Sequence, residues 1–386
     1  SVITGGPGTG KTTIIRAIVK AAREHQYAAV LMAPTGKASK RMEEATGWPA
    51  GTVHRTLGIF NGHFVHDEND PMPGDLFVID EASMLDVRLA EHLLKAIPEG
   101  AHVVFVGDVD QLPSVGPGNV LRDMIDSDTI ETTTLDHIFR QSEDSYIVPN
   151  AHAINEGQMP HFGNGTKNDF FLFPADNSAE AAEWVEELVS QRIPKTFGYQ
   201  PDEIQVLAPM KRGQAGVHAL NARLQGVLNP KSPVKDEQPH GSRTFRVGDR
   251  VINVKNNYDK DVFNGEIGTV MKIGKDEDDN KGIFIDFEGR LVHYTTGELG
   301  NLKLAYALTI HKSQGSEFPV VVVPILNAHY VMLQRNLIYT AVTRARELVV
   351  LVGSKQPIAI AVNNNEVEER KTRLSERLKK LEEAKP

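Results

Sequence analysis

The stretch that decides the fold is Gly5-Gly6-Pro7-Gly8-Thr9-Gly10-Lys11-Thr12, which follows the pattern G-x-x-x-x-G-K-[ST]. It lies between an apolar, strand-like start and a helical stretch. Glycines let backbone N–H groups turn towards phosphate oxygens, and the following helix N-terminus adds positive potential. We expect Lys11 to reach the β- and γ-phosphates of a nucleotide and the Thr12 hydroxyl to bind Mg²⁺. The residues predicted to bind the phosphates are Gly6, Pro7, Gly8, Thr9, Gly10, Lys11, Thr12 and Thr13.

Two adjacent carboxylates, Asp80 and Glu81, follow the apolar run 76–79. Parallel α/β sheets bind ligands at the carboxyl ends of their strands, so this pair is expected at the edge that carries the phosphate loop. Asp80 is predicted to hold Mg²⁺, directly or through a water, and Glu81 to activate the attacking water. The two motifs together predict a nucleoside triphosphatase.

A third polar segment, Gly107-Asp108-Val109-Asp110-Gln111, follows the apolar run 103–106. Gln111 is expected to hydrogen-bond the γ-phosphate or the lytic water and thereby to sense hydrolysis. The alternative is an ordinary turn, because Gly and Asp are common turn residues. The local pattern leaves both interpretations open.

Short, nearly unbroken apolar runs alternate with helical stretches along most of the chain. Such runs are typical of parallel strands whose sheet is covered by helices on both faces. The predicted strands are residues 2–3, 29–32, 76–79 and 103–106, then 204–207, 320–323 and 348–351. This pattern predicts an α/β protein with two similar lobes.

Three segments depart from this pattern. Asn61-Gly62 lies between alternating apolar residues, the strongest short-range signal for a β-hairpin, and an acidic, Pro- and Gly-rich stretch follows it. Between residues 243 and 294 the helical pattern disappears, and strand-like stretches at 247–252, 265–270 and 283–287 suggest a small antiparallel barrel. Near the end, Leu374, Leu378 and Leu381 recur at helical spacing among mixed charges, which predicts an amphipathic helix.

Composition limits the possible functions. The chain has 386 residues, 40% hydrophobic and 24% charged, with a formal net charge of −9 at pH 7. The acidic balance argues against coating duplex DNA or membranes by bulk charge, although a local channel lined with Lys and Arg is compatible with it. With no cysteine, the chain has no disulfide, thiolate zinc site, iron–sulfur cluster or cysteine nucleophile.

The same features suggest where the protein works and how much of it is present. No run approaches the length of a membrane span, and the lack of cysteine fits a reducing compartment, so a cytoplasmic location is expected. The chain starts at Ser1 and opens directly on a strand-like Val2-Ile3. It is therefore expected to be a fragment whose upstream part was removed.

The ordered motifs resemble those of the superfamily 1 helicases, in particular the RecD-like members of the 5′→3′ branch, superfamily 1B. The resemblance extends from residue 5 to about residue 353, and the segment 206–221 is similar to RecD-type proteins rather than to other helicases. In chain order the matching segments are 5–12, 33–39, 52–56, 80–81, 107–111, 135–141, 308–315 and 339–346.

This resemblance implies two RecA-like P-loop NTPase lobes, with a β-hairpin inserted in the first and an SH3-like small β-barrel inserted in the second. The predicted domains are a first lobe at 1–58 and 75–130, a hairpin at 59–74, a second lobe at 131–242 and 301–360, a barrel at 243–300 and an amphipathic helix at 361–386. ATP with Mg²⁺ would be hydrolysed between the lobes, driving 5′→3′ translocation on single-stranded DNA and unwinding of duplex.

Catalytic residues also follow from the resemblance. Arg140 and Arg344 would act as arginine fingers on the γ-phosphoryl group, Arg346 being less favoured than Arg344, and Gly315 and Glu317 would contact the nucleotide. For each arginine the alternative is a surface salt bridge. His311 has no second His or Cys at metal-ligand spacing, so Mg²⁺ with the nucleotide is the only metal expected.

The resemblance also implies a grip on one DNA strand in each lobe. The alternative for the hydroxyl residues is helix or turn capping. The predicted DNA-binding residues are Pro34, Thr35, Lys37, Ser39, Thr52, His54 and Arg55 in the first lobe, and Thr309, His311, Lys312, Ser313 and Gln314 in the second.

The hairpin occupies the position of a family subdomain that acts as a wedge, or pin, at duplex junctions. Its aromatic residues would stack on splayed bases. The alternative is a surface hairpin that packs its aromatic residues on the first lobe. The predicted pin residues are Phe60, Asn61, Gly62, His63 and Phe64.

The expected partners are single-stranded DNA and duplex junctions, bound by a monomeric motor without a membrane. Protein partners are expected through the missing amino-terminal region or the carboxyl-terminal helix. The family's glutamine motif, which contacts adenine, would lie upstream of residue 1, so no residue here supports adenine specificity. Two rival functions remain: a DNA-stimulated ATPase switch, and a motor subunit of a nuclease or recombination complex without autonomous unwinding.

Overall fold

The computed structural model describes residues 1–60, 63–137, 145–163, 168–257, 259–365 and 372–384. The chain divides into two compact units. The first comprises Ser1–Glu156, Gln314–Ser316 and Asn365–Pro386, and the second comprises Gly157–Ser313 and Glu317–Asn364. Among the described residues no helix has both the length and the apolar character to cross a membrane.

In chain order the strands are β1 Val2–Gly5, β2 Ala29–Ala33, β3 Ala50–Thr52, β4 Ile59–Phe60, β5 His63–Phe64, β6 Leu76–Ile79, β7 His102–Gly107, β8 Thr132–Leu135, β9 Phe170–Pro174, β10 Ile204–Ala208, β11 Glu237–His240, β12 Arg243–Arg246, β13 Arg250–Asn253, β14 Ile267–Lys275, β15 Lys281–Phe287, β16 Arg290–Thr295, β17 Leu302–Leu304, β18 Ala307–Thr309, β19 Phe318–Ile325 and β20 Ala345–Gly353.

The α-helices are α1 Lys11–Glu24, α2 Gly36–Thr46, α3 Val53–Leu57, α4 Val87–Lys95, α5 Val120–Asp126, α6 Ile147–Asn155, α7 Ser178–Glu187, α8 Ile193–Phe197, α9 Val217–Leu228, α10 Arg335–Val342, α11 Lys355–Asn363 and α12 Leu374–Glu383. Shorter helical turns, among them Ile310–Ser313, connect several of these elements.

The first unit is built on a parallel sheet with the strand order β3-β2-β6-β7-β1-β8. Alternate residues of its central strands enter two separate cores: Phe77 and Ile79 pack on one face, and Leu76 and Val78 on the other. Because both faces are buried, every position of such a strand must be apolar. This explains why unbroken apolar runs predicted these strands correctly.

The predicted boundary between residues 130 and 131 differs from the structure. Strand β8 pairs in parallel with β1, Val2 opposite Thr132 and Gly5 opposite Leu135, so it extends the first sheet. Its sequence, Thr-Thr-Thr-Leu, forms an edge strand that is only partly buried, so it has no apolar run to mark it.

Two other parts of the first unit lie outside the sheet. Strands β4 and β5 pair antiparallel, Ile59 opposite Phe64, and form the hairpin. Helix α12 packs Leu374 and Leu378 against the core beside α5, while Leu381 is exposed. Of the three leucines at amphipathic spacing, two therefore cover the core of the first unit.

The second unit contains another parallel sheet, with the order β18-β10-β19-β20-β9. Strand β18 lies at its edge, where the side chain of Asn221 from α9 takes the place of a neighbouring strand. The Asn221 amide nitrogen donates to the Ala307 carbonyl at 2.8 Å, and its oxygen accepts from the Ala307 N–H at 3.0 Å. Both backbone groups of this edge residue are thereby satisfied.

A small antiparallel sheet, β16-β15-β14-β13-β17, forms the predicted barrel within the second unit. Its attachment to the larger sheet centres on Asp249, which is 0% exposed. The carboxylate accepts four hydrogen bonds. The donors are Gln225 Nε2 at 2.6 Å, Asn229 Nδ2 at 2.7 Å, the Arg246 N–H at 2.7 Å and Tyr306 Oη at 2.9 Å.

These four bonds compensate the burial of a charge and join α9, the barrel and the residue preceding β18. Arg250, next in the chain, adds a contact by donating to the Asp202 carbonyl at 2.9 Å. Burial and the adjacent Asp249 raise the pKa of the Tyr306 phenol, so it stays a donor at neutral pH. The barrel is thus fixed to its sheet by buried polar groups.

We predict that Tyr306→Phe lowers the free energy of unfolding by about 1–3 kcal/mol, because one donor to a buried charge is lost. Urea denaturation followed by circular dichroism measures the effect. The matched control is Tyr330→Phe, whose side chain is 70% exposed and whose hydroxyl loss should cost less than about 0.5 kcal/mol. Equal effects of the two substitutions would contradict the proposed attachment.

Candidate functional site

The phosphate loop connects β1 to α1 at the carboxyl edge of the first sheet. Gly8 and Gly10 have φ values of 76° and 88°, which side-chain-bearing residues rarely adopt. Thr9 is buried and donates to the Gly6 carbonyl at 2.9 Å, which closes the loop. The helix begins at Lys11 without a side-chain cap, so the N–H groups of its first turn are available to an anion.

Lys11 lies across this loop. Its ammonium donates to the carbonyl oxygens of Gly5 at 2.6 Å and Gly6 at 2.8 Å. A Cβ at Gly5 would lie 2.8 Å from Thr9 Oγ1 and 2.9 Å from the Leu135 carbonyl, so only glycine fits there. Thr12 and Thr13 are exposed on the first turn of α1. The loop therefore directs a cation, N–H groups and a hydroxyl towards one side.

Asp80 and Glu81 follow β6 on the same sheet. The Asp80 N–H donates to the Met32 carbonyl at 2.9 Å, and one carboxylate oxygen accepts from the Glu81 N–H at 2.8 Å. Glu81 adopts φ 52°, a left-handed conformation that is uncommon for a residue with a side chain. Burial, and secondly the negative charge of Glu81, raise the pKa of Asp80 to about 6, with Lys11 partly opposing them.

These residues fit a hard divalent cation. Mg²⁺ prefers carboxylate and hydroxyl oxygens, and a nearby positive charge would stabilise the ionised form of Asp80, whose pKa is raised. Asp80 and Thr12 would hold the ion. No cluster of three or more His, Asp or Glu side chains that could hold a metal occurs in the described ranges.

Gln111 is placed by Asp108 at the end of β7. Asp108 is 1% exposed and accepts from Gln111 Nε2 at 3.0 Å and from the Asp110 N–H at 3.1 Å. The Gln111 Oε1 is buried without a hydrogen-bond partner among the described residues. A buried acceptor of this kind is suited to a water or a ligand donor. The sequence indicated Gln111 but not Asp108, although a Gly-Asp pair at a strand end is a usable signal.

Gln314 and Gly315 belong to the first unit. The Gln314 side-chain amide donates at 2.5 Å to the carbonyl of Leu112, the residue that follows Gln111. Gly315 has φ 71°, and a Cβ there would lie 2.7 Å from Thr35 Oγ1. Glycine is therefore required at this position for close contact with the segment that precedes α2.

The threonines predicted to bind DNA cap helical turns in the structure. Thr35 Oγ1 accepts from the Ala38 N–H at 3.3 Å, Thr52 Oγ1 from the Arg55 N–H at 3.1 Å, and Thr309 Oγ1 from the Lys312 N–H at 3.3 Å. The oxygens of these threonines thus act as caps, as the alternative to DNA binding expects. Each hydroxyl proton remains available, because a hydroxyl that accepts one hydrogen bond through its oxygen can still donate its own proton.

The two serines behave differently. Ser39 Oγ donates to the Gly36 carbonyl at 2.9 Å and Ser313 Oγ to the Ile310 carbonyl at 2.7 Å. Both side chains are buried, Ser313 completely. In this conformation their protons are used within the helical turns. A contact of these two serines with a DNA strand stays a prediction.

The remaining predicted contact residues of the first unit vary in exposure. Pro34 and Lys37 are half-buried and Arg55 is exposed. Burial lowers the pKa of the half-buried His54, with Asp86 partly opposing, so its imidazole is neutral at neutral pH. Asp86, the N-cap of α4, was not identified from the sequence, although Asp before a helical stretch is a capping signal.

In the hairpin, Phe64 packs between two histidines, with ring centroids 5.9 Å from His54 and 4.9 Å from His92. Phe64 thus packs on the first-unit core, as the alternative to a pin expects, whereas His63 is exposed. Asn61, Gly62 and the side chain of Phe60 lie outside the described residues. The pin function stays a prediction.

In the second unit, Arg344 is 3% exposed and its Nη2 donates to Thr343 Oγ1 at 3.3 Å, whereas Arg346 is exposed. His311 and Glu317 are half-buried beside the turn Ile310–Ser313 and the start of β19. Arg140 lies outside the described residues.

Family models match three parts of the chain. One described as AAA domain matches residues 1–171, one described as ATP-dependent RecD-like DNA helicase SH3 domain matches 220–287, and one described as UvrD-like helicase C-terminal domain matches 304–352. The combination is that of a helicase motor with a RecD-type barrel.

Two relatives cover almost the whole chain. It is 38% identical over 379 residues to the ATP-dependent RecD2 DNA helicase of Deinococcus radiodurans, covering 98% of this chain and 50% of that protein. It is 31% identical over 427 residues to the RecBCD enzyme subunit RecD of Mycolicibacterium smegmatis, covering 98% of this chain and 72% of that protein. The chain belongs to the RecD-like DNA helicase family, and it spans half the length of the RecD2 relative.

Among solved structures, the crystal structure of Pif1 helicase from Candida albicans has the same fold. The TM-score is 0.55 at 22% sequence identity, covering 100% of this chain and 95% of that one.

We predict that Asp80→Asn removes a pH dependence of the stability of the metal-free protein. In metal-free protein the raised pKa makes ionised Asp80 destabilising, so its cost to folding grows between about pH 4 and pH 6, where the unfolded carboxyl is already charged. Asp80→Asn should therefore melt at an equal or higher temperature than the parent at pH 7. Calorimetry with chelator present measures this, with the exposed Asp278→Asn as control.

Magnesium is expected to reverse the destabilising effect of ionised Asp80, since only the ionised carboxylate binds the ion. The Mg²⁺-dependent part of nucleotide affinity should rise with pH through about 6 in the parent and stay flat in Asp80→Asn. Fluorescent-nucleotide titrations at several pH values measure it. The same rise in both proteins would contradict Asp80 as the magnesium ligand.

Proposed function

We propose that this protein is an ATP-dependent DNA helicase that translocates 5′→3′ on single-stranded DNA and unwinds duplex ahead of it. The observation that carries the proposal is the carboxyl edge of the first sheet. There the Lys11 ammonium lies on the phosphate loop beside the uncapped N-terminus of α1, and its charge acts on the half-buried Asp80. Membership of the RecD-like family supports DNA as the second ligand.

The proposed chemistry divides among residues by charge and position. Lys11 exchanges its carbonyl partners for β- and γ-phosphate oxygens, and the first-turn N–H groups of α1 bind the same phosphates. Glu81 accepts a proton from the attacking water, and Gln111 orients that water through its buried Oε1. Mg²⁺, when held by Thr12 and Asp80, supplies positive charge to the phosphates.

Arg140 and Arg344 are proposed as arginine fingers, and Gly315 and Glu317 as nucleotide contacts, because the resemblance assigns those roles. A guanidinium stabilises charge on the transferring phosphoryl group better than an ammonium because it binds two oxygens at once. The burial of Arg344, against the exposure of Arg346, supports the choice between these neighbours.

We expect Lys11→Ala, Glu81→Gln and Arg344→Ala each to lower kcat for ATP at least about 100-fold, since each removes a group that acts in the transition state. Steady-state ATPase with saturating single-stranded DNA measures this, and circular dichroism checks the fold. The matched control is Arg346→Ala, which should keep kcat within about threefold. A normal kcat in all three variants would refute the assignment.

The strand grip is proposed to use the hydroxyls of Thr35, Thr52 and Thr309, together with the side chains of Lys37 and Lys312. Such groups bind phosphates without reading sequence. His54, neutral because of burial, is suited to stack on a base rather than to pair with a phosphate.

Polarity is tested with forked and tailed duplexes. The protein is expected to unwind a duplex with a 5′ tail and to leave one with a 3′ tail intact, in a real-time fluorescence assay. Unwinding of the 3′-tailed duplex alone would contradict the proposed direction. In the same assay His63→Ala should slow unwinding while sparing DNA-stimulated ATPase if the hairpin is a pin; loss of both would argue for a packing role.

A second candidate is a motor subunit within a larger complex. It is favoured by the relative from Mycolicibacterium smegmatis, whose name is that of a subunit of the RecBCD enzyme. DNA-stimulated hydrolysis without unwinding of either tailed duplex would favour this candidate or an ATPase switch.

A further inference from the structure

The segment 108–112, which we call the sensor turn, contains a second acid that the proposed chemistry does not use. The Asp110 carboxylate accepts a hydrogen bond from Asn155 Nδ2 at 2.7 Å, across 45 residues of sequence. Its other oxygen lies 3.8 Å from Arg122 Nη2, and that nitrogen donates to the Val109 carbonyl at 3.0 Å. Helices α5 and α6 therefore both hold the sensor turn.

The sensor turn is bonded on both sides of Gln111. On one side Asn155 bonds the preceding carboxylate, and on the other the Gln314 side-chain amide donates to the Leu112 carbonyl. Asn155 ends α6, two positions before the chain enters the second unit, and Gln314 is the residue at which the chain returns to the first. The residue expected to detect hydrolysis is thus flanked by bonds from two points where the chain passes between the units.

Helix α6 and the glycine that follows it are suited to act on the next part of the chain. Ala151 and Ile154 are fully buried, so the helix is packed as one body. Gly157, the first residue of the second unit, has φ 81°, and a Cβ there would lie 2.8 Å from Arg335 Nη2. Glycine adopts this backbone conformation without strain. Residues at the ends of elements are where a change of direction is absorbed when domains move.

We propose that the hydrogen bond between Asp110 and Asn155 couples Gln111 to α6, so that the nucleotide state detected at Gln111 changes the affinity of the protein for single-stranded DNA. The inference rests on the proposed function and adds a residue to it. Asn155 is a positioning residue: it acts through Asp110 on the sensor turn and has no part in the proposed phosphate or strand contacts.

The coupling follows from what Gln111 loses on hydrolysis. Its Oε1 is buried without a hydrogen-bond partner among the described residues, and the attacking water would supply a donor. In the ADP state no γ-phosphate holds that water, so the sensor turn can shift. The bond from Asn155 to the Asp110 carboxylate is charge-assisted and directional, so a shift of the turn strains it. The nucleotide states then differ in their free energy of interaction with α6, which is the condition for a ligand-driven change.

The dependence of strand affinity on the bound nucleotide tests the coupling. Fluorescence anisotropy gives the dissociation constant of labelled oligothymidylate in ADP and in a non-hydrolysable ATP analogue, and the ratio of the two constants measures the coupling. We expect Asn155→Ala to move this ratio towards one by at least about threefold. Hydrolysis of ATP without DNA should stay within about twofold of the parent, because Asp108 still holds Gln111.

Two further variants separate coupling from a loss of structure. Asn363→Ala is the matched control, because Asn363 also ends a helix, α11, and donates to the Ala359 carbonyl at 2.9 Å away from the sensor turn. It should leave the ratio unchanged. The exchanged pair, Asp110→Asn with Asn155→Asp, offers a donor and an acceptor in reverse order and should restore the ratio to within about twofold of the parent. No recovery in the exchanged pair would overturn this bond as the coupling element.

The outcomes separate this inference from the function beneath it. If the parent ratio differs from one and Asn155→Ala keeps it, the coupling is wrong and the helicase proposal stands. If Asn155→Ala loses DNA-free hydrolysis together with the ratio, Asn155 supports the hydrolysis site itself and the inference is wrong. If the parent binds the strand equally with both nucleotides, hydrolysis changes no strand affinity with which to move along DNA, and both proposals fail.

Discussion

A half-buried carboxylate at the end of a fully apolar strand sets the electrostatics at the carboxyl edge of the first sheet. Asp80 lies where β6 leaves the core, and burial makes its charged form costly unless a cation is close. Lys11 offsets part of that cost, but it also donates to two loop carbonyls. A cation bound beside Asp80, as proposed for Mg²⁺, would lower the cost of its charge further. Its binding would then be coupled in free energy to the folding of this edge.

Much of the architecture was predictable because burial on both faces of a parallel sheet leaves a direct trace in sequence. The central strands are visible in the sequence as apolar runs. The phosphate loop needs its glycines for a local backbone conformation that other residues rarely adopt. Strand β8 was missed because an edge strand of threonines buries little apolar surface. Asp108 was missed because its role depends on its contact with Gln111. The Asp110–Asn155 bond joins residues 45 apart, and no local pattern encodes such pairs.

The barrel is attached to its sheet by polar groups rather than by an apolar interface alone. Asp249 accepts bonds from helix α9, from strand β12 and from the residue entering β18. Bonds of this kind have preferred directions, whereas apolar contacts tolerate sliding. A joint made from them transmits orientation as well as proximity. This matters wherever the barrel and the sheet must present groups to one extended ligand.

The side chain of Asn221 has a consequence beyond the fold of one molecule. An edge strand normally offers its N–H and C=O groups to any passing chain, which is how sheets of different molecules join into aggregates. At β18 the Asn221 amide occupies both groups of Ala307, as a backbone would, yet a side chain has no further residues with which to continue the ladder. The ladder is thus blocked chemically at Ala307, and crowded copies of the protein meet a strand whose first residue is already paired.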